Sequence, residues 1–531
     1  MEGMILMKRN LLALALSAAL VLSLTACGRT DGGASSDGSA QEDGVSALIL
    51  SDDSVTLDGQ IVTETGGTVS VGHEIVYYES GKGSDYGAGT ADEEHSAEEA
   101  AEHTVVTVRK AGTYRVSGTL SKGQIAVDLG ADAKTDPSAV VTLILDNVDV
   151  TCTVAPALIF YNVYECDTQW VAYDDSDSSE DYQAPSPTDV DTSAAGANIV
   201  LADGSTNNFT GSHVAKIYKE GTEKKLHKYD GAFYSKMSMN ISAESAGTGV
   251  LNITGDNEGL DSELHLTINS GYLNIRSQDD GINTNEDGVS VTAINGGTVQ
   301  INAGLGAEGD GIDSNGSIVI NGGNVYTMAN AQSPDGGLDA DGDIIINGGF
   351  VAALGVRNDQ VSQKSGQQYM ELSFASSLPA GSAIKLTDPD GSELLAFTTE
   401  KACQSLIFSS DTLESGVDYT LTVNGVVQQY TGRQSGGFDG GRAPEGSDGQ
   451  TPPELPDGQT PPEKPDGANG HTPPERPDEG QSGKQPPENG QKPPMDGRPD
   501  GQQDGGSTEQ PSSLFTLSDS RHSFSGICDS Q

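Results

Sequence analysis

Positive charge is what this chain has least of: 28 Lys+Arg stand against 78 Asp+Glu in 531 residues, a formal net charge of −50. So acidic a surface repels phosphate, which excludes direct electrostatic binding of nucleic acid. Aromatic residues make up 5% of the chain and there is one Trp, so stacking platforms for a ligand are few. Only 34% of the residues are hydrophobic, and much of the chain is therefore not packed core. The 5 Cys form no CxxC pair and no Cys/His cluster at zinc spacing, which removes a zinc site. Cys152 and Cys166 could pair in an oxidising exterior or remain two thiols. Glycine, by contrast, is 68 of 531 residues, nearly double the usual share. At about 1 kcal/mol per helix position, that density excludes an ordinary helical protein.

Long apolar runs are also missing, apart from Leu11 to Leu24 behind Lys8 and Arg9. That run is too short for a membrane span and reads as an export signal. Its ending, Leu24-Thr25-Ala26-Cys27, resembles a bacterial lipobox. The resemblance implies cleavage before Cys27 and a lipid anchor on its thiol, hence the extracellular face of a bacterial cell membrane. Residues 27–46 are small and polar, a flexible tether. From residue 433 to 531 the chain is rich in Pro, Gly and Asp, with the degenerate repeat TPPELPDGQ, TPPEKPDGA, TPPERPDEG. This segment reads as a disordered tail that serves as a wall spacer, as a contact for a protein partner, or simply as a solvated end.

The repeats lie between. Asn269, Asn295, Asn321 and Asn347 recur every 26 residues, each opening an Asn-Ser-Gly or Asn-Gly-Gly turn. Ile268, Ile294, Ile320 and Ile346 precede the turns, and Leu273, Val299, Val325 and Val351 follow four residues after each Asn. Apolar residues at spacing two around a Gly turn are short strands with one buried face. A fixed period of this kind predicts an all-β solenoid, a right-handed parallel β-helix over residues 47–357, strongest over 250–357. The four Asn should form a hydrogen-bonded ladder, with their glycines at positive φ. Residues 358–432 change to antiparallel hairpin patterns, a small C-terminal β unit.

A second element recurs before each Asn turn: Glu258-Gly259-Leu260-Asp261, Asp280-Gly281-Ile282-Asn283, Asp310-Gly311-Ile312-Asp313 and, after Asp335, Gly337-Leu338-Asp339. Stacking puts Asp261, Asn283, Asp313 and Asp339 near one column, with Glu258, Asp280 and Asp310 beside it. Residues 250–350 hold 15 acidic side chains and one basic one, Arg276. Carboxylates about 4.8 Å apart repel by roughly 3.5 kcal/mol at an effective dielectric of 20. Such a file calls for protons or a cation, and oxygen ligands outside a cell suit calcium. Asp279, Asp280, Asp310 and Asp313 are the favoured ligands, with Asp256, Asp261, Asp335 and Asp339 behind them. The bland alternative is that these are solvated turn residues.

The run from Gly255 to Gly323, with GTYRVSGTL and YSKMSMNIS upstream, resembles the calcium-binding β-helix family of bacterial carbohydrate-binding domain proteins from plant-fibre-degrading clostridia. The likeness spans roughly residues 47–432. It implies a pectate-lyase-like right-handed β-helix, bound calcium, and affinity for acidic plant cell-wall polysaccharide such as polygalacturonate, with cellulose a further candidate.

Calcium shared between protein and sugar carboxylates would turn repulsion into binding. Asn283, Asn285 and Asn315 are candidate glycan contacts, and Tyr272 and Tyr326 candidate stacking residues, though strand aromatics more often pack. The rival is a calcium-dependent lyase or a glycoside hydrolase. A lyase needs a basic residue at the α-proton. Residues 237–363 contain no Lys, which leaves Arg276 as a weak catalytic candidate. A surface adhesin or scaffold with a protein partner is the third class.

Overall fold

A computed structural model of the protein describes residues 44–80, 86–174, 182–218, 225–431, 511–518 and 521–530. The expected signal peptide 1–26, Cys27, all but the last residues of the expected tether and the Pro-rich repeats lie outside the described residues. The described chain is predominantly β. Its strands join into sheets of 25, nine and two strands.

The repeat of the sequence appears as parallel ladders. In the largest sheet Val250–Gly255, Tyr272–Ser277, Thr298–Asn302, Asn324–Met328 and Phe350–Gly355 pair in succession. Leu251, Leu273, Val299, Val325 and Val351 stand in one register column, all buried completely. Alternation explains it: side chains two apart share a face, and the apolar face of every strand turns inward. A second ladder runs through Leu266–Ile268, Val291–Ile294, Ser317–Ile320 and Ile344–Ile346, with Ile268, Ile294, Ile320 and Ile346 stacked. The nine-stranded sheet faces the same core with Leu260, Ile282, Ile312 and Leu338 in column, again fully buried. Each such side chain contributes roughly 1.5–3 kcal/mol.

The Asn turns form the expected ladder. Asn295, Asn321 and Asn347 each donate from Nδ2 to Oδ1 of the Asn one repeat earlier, at 2.9 Å every time. Gly271, Gly297, Gly323 and Gly349 hold φ between +81° and +102°. The glycines of the acidic element have another role. A Cβ on Gly281 or Gly311 would lie 2.6 or 2.4 Å from the carbonyl oxygen of the next glycine in the file. Gly here permits close stacking; it does not make a turn.

Residues 369–429 form antiparallel strands, among which Cys403–Ser409 pairs with both Phe350–Gly355 and Tyr369–Leu378. It thereby covers the last strand edge of the parallel ladder. The expected tail boundary is corrected at the C-terminus. Phe515–Thr516 pairs with Asp418–Val423, and Ser523–Asp529 pairs with Tyr369–Leu378 and Val426–Gln429. Phe515, Leu517, Phe524 and Ile527 are all within 2% of full burial in this unit's core. An antiparallel bridge joins Tyr430 to Ser512. The four described cysteines are free thiols.

Candidate functional site: the carboxylate column

The nine-stranded sheet sets the acidic residues in register. Asp261 pairs with Asn283, Asn283 with Asp313, and Asp313 with Asp339. Beside them Asp280 and Asp310 occupy equivalent places, since Gly259 donates to the carbonyl of Asp280 and Gly281 to that of Asp310. Main-chain donors continue the file: Asp310 N–H reaches Asp280 Oδ1, Gly336 N–H reaches Asp310 Oδ1, and Gly309 N–H reaches Asp335 Oδ2, each at 2.6 Å.

Burial makes this file costly to ionise. It pushes Asp310 up to about 7, with the charges of Asp335, Asp313 and Asp279 adding to it against the Gly336 hydrogen bond. Asp279 and Asp313 rise to about 6, from burial first and then from Glu308 and Asp341 respectively. Asp339 rises to about 8 through burial and its hydrogen-bonded neighbour Asp359. Asp280 lies well above the ordinary range because it is buried beside Glu258 and Asp279. Glu258 and Asp261 are the extreme pair, buried against each other and Asp230.

At that end of the column three oxygens are orphaned. Glu258 Oε2, Asp261 Oδ2 and Asn283 Oδ1 are buried without a hydrogen-bond partner. The other atoms of these groups are engaged: Asn283 Nδ2 donates to Glu258 Oε1 at 2.9 Å and Asn285 Nδ2 to Asp261 Oδ1 at 2.6 Å. Buried acceptors without donors cost about 1–3 kcal/mol each. An all-oxygen, largely anionic set of this kind fits a hard cation such as calcium. Among the described residues, however, no three His, Cys, Asp or Glu side chains gather as a metal-holding group on their own. Carboxylates spread along a column at one strand spacing, about 4.8 Å, need amide or main-chain oxygens to complete a coordination shell.

The remaining sequence candidates fall elsewhere. Asp256 is half exposed and accepts from Ser212 Oγ at 2.5 Å while facing His213 Nδ1 at 3.1 Å. Asn283 and Asn285 are buried, and their amide groups hold carboxylates and do not face solvent. Asn315 donates to the Asn285 carbonyl and to Asp287. Tyr272 is exposed on its strand, whereas the ring of Tyr326 is partly buried and lies 5.3 Å from that of Phe350. Arg276 lies in the ladder Thr254–Arg276–Asn302 of the largest sheet, not on the strands that carry the column.

Sequence reasoning missed Lys228, Asp230 and Asp359. Lys228 sits on Lys225–Tyr229, which pairs with Val214–Tyr218 in a two-stranded arm. Its ammonium donates to Asn285 Oδ1 and stands 4.0 Å from Asp230. Burial lowers its affinity for the proton, but Asp261, Glu258, Asp230 and Glu263 outweigh that and raise it overall. Asp230-Gly231 repeats the acid-Gly pair of the later elements, and that was the available signal.

A mostly parallel β chain with a buried file of carboxylates defines the class to which comparison with known proteins speaks. The family of carbohydrate-binding domain-containing proteins matches residues 102–183 and 182–392. That is more than half of the chain, and the chain belongs to this family. No curated protein matches it. A solved structure of the polysaccharide lyase-like protein from C. thermocellum, a gadolinium derivative, is similar over 56% of this chain and 90% of its own, with 18% identity and a TM-score of 0.30.

Proposed function

We propose that this carbohydrate-binding protein winds as a right-handed parallel β-helix and binds acidic plant cell-wall polysaccharide, polygalacturonate foremost, through calcium held along its carboxylate column, without catalysis. The winding is supported by parallel ladders that advance together in two sheets and by the 26-residue step of the Asn ladder. The observation that carries the calcium reading is the set of orphaned buried oxygens on Glu258, Asp261 and Asn283.

Glu258, Asp261 and Asn283 would hold the ion at one end, and Asp279, Asp280, Asp310, Asp313, Asp335 and Asp339 offer oxygens along the rest. When bound, calcium supplies the positive charge that a −50 chain lacks, so a polyuronate is attracted instead of repelled. The chain's own residues prepare the site. Asn283 and Asn285 fix the carboxylates of Glu258 and Asp261, and Lys228 offsets part of their charge. A binding role is supported by the place of Arg276 on the other sheet and by the carboxylates that keep Lys228 protonated. The Leu24–Cys27 pattern supports a lipid anchor at the cell surface.

Pull-down on insoluble polygalacturonate, with calcium and with chelator, is the test, with ultraviolet absorbance of unsaturated products followed in parallel. Calcium-dependent retention without new absorbance is expected. Retention that ignores calcium overturns the metal reading, and product formation makes the protein a lyase.

A further inference from the structure

Just past the ends of the strands that carry the acidic column runs a second file: Lys236, Glu263, Asn285 and Asn315. The ladder continues through it, since Glu263, Asn285 and Asn315 donate N–H bonds of 2.9–3.1 Å to Ser235, Ser262 and Thr284 of the preceding strands. Lys236, Glu263 and Asn285 help to wall a cleft of about 570 Å³ that Trp170, His227 and Tyr229 also line. In a chain so poor in cations, this cleft gathers three ammonium groups, those of Lys134, Lys228 and Lys236.

Most of its carboxylates are already engaged. Glu165 accepts from Ser238 N–H at 2.7 Å and Ser238 Oγ at 2.8 Å. Glu263 accepts from the Tyr234 hydroxyl, and Asp287 accepts from Asn315 Nδ2 at 2.9 Å. Lys228 is drawn to Asn285 and Asp230, as described above. The Lys236 ammonium acts on the Glu263 carboxylate through its charge alone, with no hydrogen bond or ion pair of 4.0 Å or less between the two. His227 is neutral at pH 7, held down at about 4 by burial and by the Lys236 charge, so it does not compete for an anion. Trp170 is the only Trp of the chain. Its ring is braced 5.6 Å from both Tyr173 and Tyr182 and is half-buried.

We propose that this cleft is a second saccharide subsite that takes a uronate residue without a metal ion, its carboxylate on Lys236 and its pyranose face on Trp170. An ammonium and a braced indole lining one cleft are the chemistry that recognises an anionic sugar. The proposal rests on the carbohydrate-binding reading but not on calcium at the column.

The sole Trp is its own reporter. Trp170 emission is followed in chelator while a short oligogalacturonate is titrated into wild type and Lys236→Gln. A saturable change is expected in wild type, weakened about tenfold by Lys236→Gln. No change in chelator, or an equal response to a neutral cello-oligosaccharide of the same length, overturns the subsite. A silent Trp170 with calcium-dependent pull-down intact defeats this proposal alone. A responsive Trp170 with calcium-independent pull-down upholds it and defeats the calcium reading.

Discussion

Replacing Asp310 by Asn should stabilise the ion-free protein at alkaline pH and weaken its response to calcium. In the fold Asp310 titrates near 7 instead of 3.8. Between those values the folded state binds a proton that the unfolded state has released, so stability is fully present below about pH 4 and falls as pH rises through 7. At about 1.4 kcal/mol per pH unit, the buried charge costs about 4 kcal/mol at pH 8 and under half that at pH 5. These are upper limits, because the neighbours relax. Asn cannot ionise, yet its Oδ1 can still accept the 2.6 Å bond from Gly336 N–H. In a folded unit of a few hundred residues, one kcal/mol moves Tm by about 1–2 °C. In chelator Asp310→Asn should therefore melt about 3–6 °C above wild type at pH 8, with the gap shrinking by more than half at pH 5. Adding calcium at pH 8 should narrow or reverse the order, since only wild type offers the full carboxylate set and ligand binding stabilises in proportion to occupancy. Scanning calorimetry at the two pH values, with and without calcium, decides it. A variant less stable than wild type in chelator at pH 8, or a gap independent of pH, refutes the reasoning.

Three further outcomes follow from the same contacts. Chelator should lower the wild-type Tm at pH 8 and hardly change it at pH 5, where protons hold the column, as differential scanning fluorimetry will read directly. Gly311→Ala places a Cβ 2.4 Å from the Gly337 carbonyl oxygen and 2.7 Å from Thr327 Cβ; it should cost about 1–3 kcal/mol or more in denaturant unfolding, against little for an exposed glycine such as Gly67. Proteolytic nicking inside residues 432–510 should leave the C-terminal fragment bound on size exclusion, since its Phe515, Leu517, Phe524 and Ile527 are core residues; Phe524→Ala should cost about 3–5 kcal/mol and release it.

Much of the fold was legible because its signal is strictly periodic. Ile268, Ile294, Ile320 and Ile346 lie 26 apart in sequence and one strand apart in space, so spacing alone gave their register. Where the step varies, legibility faded. A second amide ladder, Asn208–Asn252–Asn274, donates at 2.9 Å just as the first does. Its members are 44 and 22 residues apart, and an inserted arm hides the repeat. The final strands were lost for a different reason. Phe515 and Leu517 show the alternation of a strand, but Tyr419, which pairs with Phe515, and Gly416, which donates to the Leu517 carbonyl, stand about a hundred residues upstream, across a segment whose composition argues for a solvated end.

The site divides along the same line. Its acidic column was readable because parallel stacking turns sequence period into spatial contact, so Asp313 and Asp339 had to be neighbours once the period was known. The ordinary cause of Asp-Gly pairs, tight turns, misdirects here: Gly259, Gly281 and Gly311 are glycine because each faces the next glycine's carbonyl across one strand spacing. That close approach also buries the carboxylates beside them. A side chain that could project into solvent in a turn is held against a neighbouring sheet strand, and its affinity for the proton rises accordingly. What no period could reveal is Lys228, which arrives on an arm outside the repeat and meets Asn285, 57 residues later. The single ammonium reaches Asp261, Glu258, Asp230 and Glu263 together. One fixed positive charge does not satisfy four acidic side chains, and Glu258 Oε2 and Asp261 Oδ2 are left without a hydrogen-bond partner.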